Sequence, residues 1–140
     1  MESEKEKSQK IQKNWSILIN NKLILNRLES LLFGRVKRVD YPDYANKMVE
    51  EIIAKTVSKG ILVCGTGIGM SIAANRSSDI RAALCFNEFM AERARSHNDA
   101  NILVLGSKIC EDEVSLKMID LFLHTKFEGG RHTGRLVKIR

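Results

Sequence analysis

Three short apolar runs dominate what this chain can fold into: GILVC (Gly60–Cys64), RAALC (Arg81–Cys85) and ANILVLG (Ala100–Gly106). None alternates polar with apolar residues, so each predicts a strand buried on both faces, the mark of a parallel sheet covered by helices. Helical signals separate the runs. MSIAAN follows the glycine-rich GTGIG, Asn87 is placed to cap a helix to about Ser96, and Glu111 to His124 reads as another. Upstream, Asp40 suits a cap and Pro42 the first turn of a helix running to about Lys59, with Tyr44, Met48, Ile52 and Ile53 facing inward. Strands alternating with helices predict an α/β fold, a Rossmann-like doubly wound parallel sheet with helices on both faces. Ligands of such sheets lie at the carboxyl ends of the strands, which here are Cys64–Gly69, Cys85–Asn87 and Gly106–Ser107.

The first 37 residues have another character. Residues 1–10 (MESEKEKSQK) carry no apolar side chain after Met1 and predict a disordered charged tail. Ile11, Trp15, Leu18, Leu25, Leu28 and Leu32 fall on one helical face, so 11–37 reads as a divergent helical segment. ILINNKLIL also suits a short strand pair about Asn20–Asn21. N-terminal strands of a complete sheet are on this reading missing or replaced, and the α/β domain occupies 38–140.

Charge and composition narrow the function classes. Of the net +6, residues 1–38 hold nine Lys/Arg against four Asp/Glu, while the rest holds fourteen against thirteen. A basic arm of this kind reads first as a solvated tail, so no nucleic-acid partner is expected. The longest uncharged run, Gly60 to Asn75, is short for a membrane span and broken by glycines, and the charged N-terminus does not resemble a secretory signal. Cys64, Cys85 and Cys110 form neither a disulfide framework nor a zinc spacing, which predicts a reducing, cytoplasmic setting.

CGTGIG is the strongest local feature. Its glycines let the backbone fold tightly and bring N–H groups to an anion, and the following helix points its positive end there; tight strand–helix packing is the plain alternative. It is neither a dinucleotide fingerprint nor a Walker loop. Cys64, at the strand end, is a candidate base or nucleophile, or else a small buried hydrophobe. For Cys85 and Cys110 the buried reading is stronger. His97, in SHNDAN, is a helix-end residue or an acid–base group, and its loop precedes a strand instead of following one. In FEGGRHTGR, Arg131 and Arg135 are four apart, beside His132, and share a helical face able to grip a phosphate; a solvated basic tail is the alternative. His124 reads as a helix-end surface residue.

Taken together, VDYPDYA, GILVCGTGIGMSIAANR, IRAALC, ARSHNDANILVLGS and FEGGRH resemble the ribose-5-phosphate isomerase B type, with its galactose-6-phosphate isomerase relatives. The resemblance spans about Arg38 to Ile139, and Cys at position 64 looks like the ribose enzymes. It implies interconversion of ribose 5-phosphate and ribulose 5-phosphate through an enediolate, without metal or cofactor. Cys64 would be the base moving a proton between carbons 1 and 2, and the backbone of Gly65, Thr66, Gly67, Ile68 and Gly69 would hold the enediolate oxygens. His97 would help open the sugar ring with Asn98 beside it, and Arg131 and Arg135 would hold the phosphate. It also implies a homodimer, or a tetramer, whose sites take residues from both subunits. One departure is sharp. The family opens with a strand ending in an Asp-His-Ala-Gly loop, and this chain contains no Asp-His pair. An impaired enzyme, a replacement segment, and a relative that binds sugar phosphates without turnover are all compatible with that.

Overall fold

The computed structural model describes the backbone of residues 15–19 and residues 40–139. The expected tail over 1–10, and most of the segment 11–37, lie outside the described residues. Among the described residues the elements follow one another as β1 (Trp15–Ile19), α1 (Tyr41–Ile53), β2 (Lys59–Cys64), α2 (Ile68–Ala74), β3 (Ala82–Leu84), α3 (Glu88–Ser96), β4 (Ile102–Gly106), α4 (Asp112–His124) and α5 (Arg131–Val137). They form one sheet in the order β1-β2-β4-β3. β2, β4 and β3 are parallel, with Cys64 opposite Gly106 and Leu84 opposite Val104. The apolar runs thus do form the predicted parallel core.

Strand alternation divides that core into two layers. Ile61, Val63, Leu103 and Leu105 pack with Ala91 and Ala94 of α3 and Met118, Ile119 and Phe122 of α4. Leu62, Cys64, Ile102 and Val104 face the other way, against Ala45 and Met48 of α1 and Met70 and Ala74 of α2. Both faces of β2 and β4 are dry, which is why their sequences show no polar alternation. β3 departs from the expected buried strand. It lies at the sheet edge, its three residues are half-buried, and the Asn75 side chain pairs with Ala82 on both the N–H and the C=O, at 2.8 and 2.9 Å.

Two expectations are corrected. Trp15–Ile19 is a strand, although the apolar spacing predicted helix across 11–37. It runs antiparallel to β2, with Trp15 opposite Val63 and Ile19 opposite Lys59; the hairpin mate that ILINNKLIL suggested lies outside the described residues. The free edge of β2 supplies unpaired backbone groups, and pairing with them overrides a weak local preference. The helix expected to reach Lys59 stops at Ile53, with Lys55 in the left-handed region at φ 61, and Ile53 is half exposed where an inward face was predicted. The chain needs those residues to turn back into β2. Asp40 does precede α1, but its side chain makes no capping bond; Asn87 does cap α3, accepting from Met90 N–H at 2.9 Å.

Candidate active site

Cys64 closes β2, only 7% exposed, and the chain turns at once through GTGIG. Gly67 takes φ 82, a left-handed conformation that turns its N–H back onto Cys64 Sγ, at 3.1 Å. A Cβ at Gly67 would stand 2.5 Å from Leu84 Cδ1, so both backbone and space require glycine here. The loop is tied to the end of β4: Ser107 N–H donates to Cys64 O at 2.8 Å and Lys108 N–H to Gly65 O at 2.9 Å. Gly106 allows that approach, since a Cβ there would stand 2.6 Å from Thr66 O. The Ile68 N–H is turned to Thr66 Oγ1, at 3.3 Å, and the Tyr41 ring lies directly over Gly69. A sulfur that accepts a backbone N–H, at a strand end beside a helix start, is placed to carry negative charge.

The other cysteines are differently set. Cys85 is buried, and burial together with Cys110 pushes its thiol up to about 12. Cys110 donates to Phe86 O at 3.1 Å, and burial raises its thiol as well. Neither suits a thiolate at neutral pH.

His97 and Asn98 stand elsewhere. His97 caps the end of α3, and the turn through Asn101 leads into β4, where Asn101 O accepts from Gly60 N–H at the start of β2. This turn therefore lies at the amino ends of the parallel strands, while Cys64 lies at the carboxyl ends. At about 3.3 Å per residue the two are roughly 15 Å apart along the strands. Two arginines hold the turn. Arg81 donates to Asn98 O at 3.0 Å and to Asp99 Oδ2 at 3.3 Å; the nearly buried Arg95 donates to Asp99 Oδ1 at 2.9 Å and Ala100 O at 2.6 Å. Asp99 itself sits at φ 46, a strained backbone kept in place by these bonds. A cavity of about 330 Å³ opens beside the turn, lined in part by Asn75, Arg81, Asn98 and Ile139, and Cys64 does not reach it.

The C-terminal stretch is a helix rather than a solvated tail. α5 carries exposed Arg131 and Arg135 one turn apart, as their spacing predicted, and buries His132 between them. The His132 ring stacks on that of His97, centroids 4.0 Å apart and planes at 21°. Glu128 Oε2 faces both rings, 3.8 Å from His97 Nε2 and 3.5 Å from His132 Nε2. Burial above all, then His97 and Arg131, holds His132 below the usual imidazole range, against the pull of Glu128. The three ligand atoms lie within 4.8 Å of one another. Planes so nearly parallel cannot both contain a cation at about 2 Å from each nitrogen, so the rings as stacked do not present a metal site. His124 is a surface residue paired with Asp120, as expected.

One chain thus holds the candidate residues in two separate groups: Cys64 with its loop at one end of the sheet, and His97, Asn98, Arg131 and Arg135 at the other. Tyr41, Arg81, Arg95, Asp99, Glu128 and the stacking of His132 were not read from the sequence. Arg95–Asp99 and Glu128–His132 are each four apart, a spacing that could have flagged them.

Known proteins resemble this chain over most of its length. The profile of the Ribose/Galactose Isomerase family matches residues 12–139. A Rickettsia conorii protein provisionally named a sugar phosphate isomerase is 62% identical over 107 residues, 76% of this chain and 74% of that one. A ribose 5-phosphate isomerase structure from Thermotoga maritima superposes with a TM-score of 0.72 at 53% identity, over 76% of this chain and 75% of that one. Another, ribose-5-phosphate isomerase B from Mycoplasma genitalium with bound ribulose-5-phosphate, gives 0.73 at 37% identity over 84% of each chain. The chain belongs to the ribose/galactose isomerase family.

Proposed function

We propose that this chain interconverts ribose 5-phosphate and ribulose 5-phosphate through an enediolate, at sites shared between two copies. The observation that carries the reading is the Cys64 sulfur held by the Gly67 N–H at the carboxyl end of β2. Cys64 as thiolate takes the proton from carbon 2 of the open sugar and returns it at carbon 1, while the hydroxyl proton on the oxygen of carbon 2 passes to the oxygen of carbon 1. Within the loop Gly65, Thr66, Gly67, Ile68 and Gly69, the N–H groups not spent on Cys64 Sγ and Thr66 Oγ1 stabilise the negative charge that develops on the two oxygens between those steps, while the Gly67 N–H holds the sulfur. Arg131 and Arg135 grip the phosphate, and His97 with Asn98 serves ring opening. Because the two half-sites lie at opposite ends of one sheet, a second copy supplies the complement, in a homodimer or in a tetramer built from such pairs. Free thiols in all three cysteines suit a reducing, cytoplasmic compartment.

A second reading has a specific observation behind it. β1 lies beside β2 in the reversed sense, so its starting residue, Trp15, rather than a strand-to-loop exit, stands at the Cys64 end. With no Asp-His pair in the chain, that favours a relative that binds sugar phosphates with impaired turnover. A galactose-6-phosphate isomerase subunit is the third member of the comparison, and Cys64 counts against it.

Mixing inactive variants tests the shared site. Cys64→Ala and His97→Gln homodimers should each lack turnover of ribose 5-phosphate. Equimolar, co-refolded mixtures should regain roughly a quarter of wild-type activity, because half the dimers are mixed and each mixed dimer holds one intact site. Wild-type turnover with no recovery in the mixture would refute sharing. Binding of ribose 5-phosphate by calorimetry without conversion by wild type would select the impaired reading.

A further inference from the structure

We infer that Glu128 and His132 are positioning residues for His97: one carboxylate oxygen facing two stacked imidazoles makes the pair hold a single proton, and places it on His97. Its consequence for turnover rests on the isomerase reading; the place of the proton does not.

The geometry supplies the argument. Glu128 is not tethered by chance near the rings. Its backbone N–H donates to Ser96 O at 3.0 Å, so residue 128 is anchored to the helix end that carries His97. Four residues later the chain has entered α5 and presents His132. The same oxygen therefore looks at both Nε2 atoms. Two imidazolium rings stacked at 4.0 Å would repel strongly, so one proton on the pair opposes a second. Exposure decides which ring takes it. The His97 side chain is 31% exposed and that of His132 only 6%, so water can solvate a charge on the first and not on the second.

The charged groups around the pair agree. From α5, Arg131 and Arg135 both disfavour a proton on His132; from α3, His97 does the same; from the connecting loop, Glu128 alone favours it. Glu128 is 54% exposed, so packing gives no reason for its place. His132 then acts as a neutral, buried plate that fixes the plane of the His97 ring, and Glu128 as the negative charge that both ring nitrogens face.

The chain has three histidines, so its imidazole C–H resonances can be assigned by single substitutions and followed through a pH titration of the full-length protein. His124, paired with Asp120, is the internal reference. Glu128→Gln should lower the midpoints of the two stacked rings, leaving His124 unmoved. Glu128→Asp, which keeps the charge, should restore most of the His97 shift. His97→Gln should raise the His132 midpoint. In wild type and Glu128→Gln compared by kinetics, the limb of the kcat/KM profile that reports His97 should move down with the resonance. Unmoved His97 and His132 midpoints in Glu128→Gln, or a His132 midpoint indifferent to His97→Gln, would overturn the inference. An inactive wild type with these shifts intact would instead sink the isomerase reading alone. Unchanged circular dichroism and an unmoved His124 resonance establish that each variant is folded.

Discussion

The two ends of the same parallel sheet are built by different physics. At the carboxyl end, Cys64 is surrounded almost wholly by backbone: a left-handed glycine, a β4 loop bonded to its carbonyl, and a short helix start. Its geometry follows from which positions lack a Cβ. At the amino end, side chains do the work: Arg81 and Arg95 bind the 97–99 turn, two imidazoles stack, and one carboxylate faces both. The first arrangement suits a site where charge develops close to the main chain, since fixed dipoles need no reorganisation. The second suits proton and phosphate handling, where charged side chains must reach outward. Roughly 15 Å of strand separates them, so the two groups do not meet within one chain.

The contrast can be broken at either end. Cys64→Ala is expected to have the largest effect, about a thousandfold loss of isomerisation with unchanged circular dichroism, because under the proposed mechanism it deletes the group that moves the proton. Retention of more than a tenth of the wild-type rate would remove Cys64 from that role. Gly67→Ala tests the backbone end directly. The added Cβ meets Leu84 and the left-handed backbone is strained, so stability should fall by about 2–3 kcal/mol, several degrees of melting temperature by calorimetry. At the amino end, Arg131→Ala and Arg135→Ala should each raise KM for a phosphorylated pentose about tenfold while changing kcat much less, as loss of one exposed charge-assisted contact would. A fall in kcat with constant KM would place these residues nearer the chemistry.

The smallest effect concerns acid stability. His132 resists protonation in the folded chain, so beneath the ordinary value of 6.5 the unfolded state binds more protons than the folded state. Stability therefore falls as pH drops into that window. His132→Gln should flatten this part of the stability–pH curve, measured by urea denaturation at successive pH values; an unchanged slope would mean that another group carries it.

Much of this was legible beforehand, for reasons that differ by region. The apolar runs of β2 and β4 name buried strands because both their faces are dry, and Asn87 names the start of α3 because its side chain can accept an orphan N–H. CGTGIG marked one half-site, since only glycine tolerates its turn. The reversed β1 was not legible. Apolar spacing in 11–37 suited a helix, and nothing local records that an unpaired edge of β2 is within reach. The extent of α1 was misjudged for a similar reason: where a helix must stop depends on where its strand begins.

Residue chemistry and spacing by themselves determined the parallel core, the thiol beside a glycine turn, and a pair of arginines one helical turn apart, because each depends on neighbours within a few positions. Only the tertiary structure decided that His97 and Cys64 stand at opposite ends of the strands, that Arg81 and Arg95 converge on Asp99, and that Glu128 faces two stacked histidines. Those facts depend on contacts between segments up to about 42 positions apart, such as Cys64 opposite Gly106, which form only when burial of the apolar runs brings their flanking loops together.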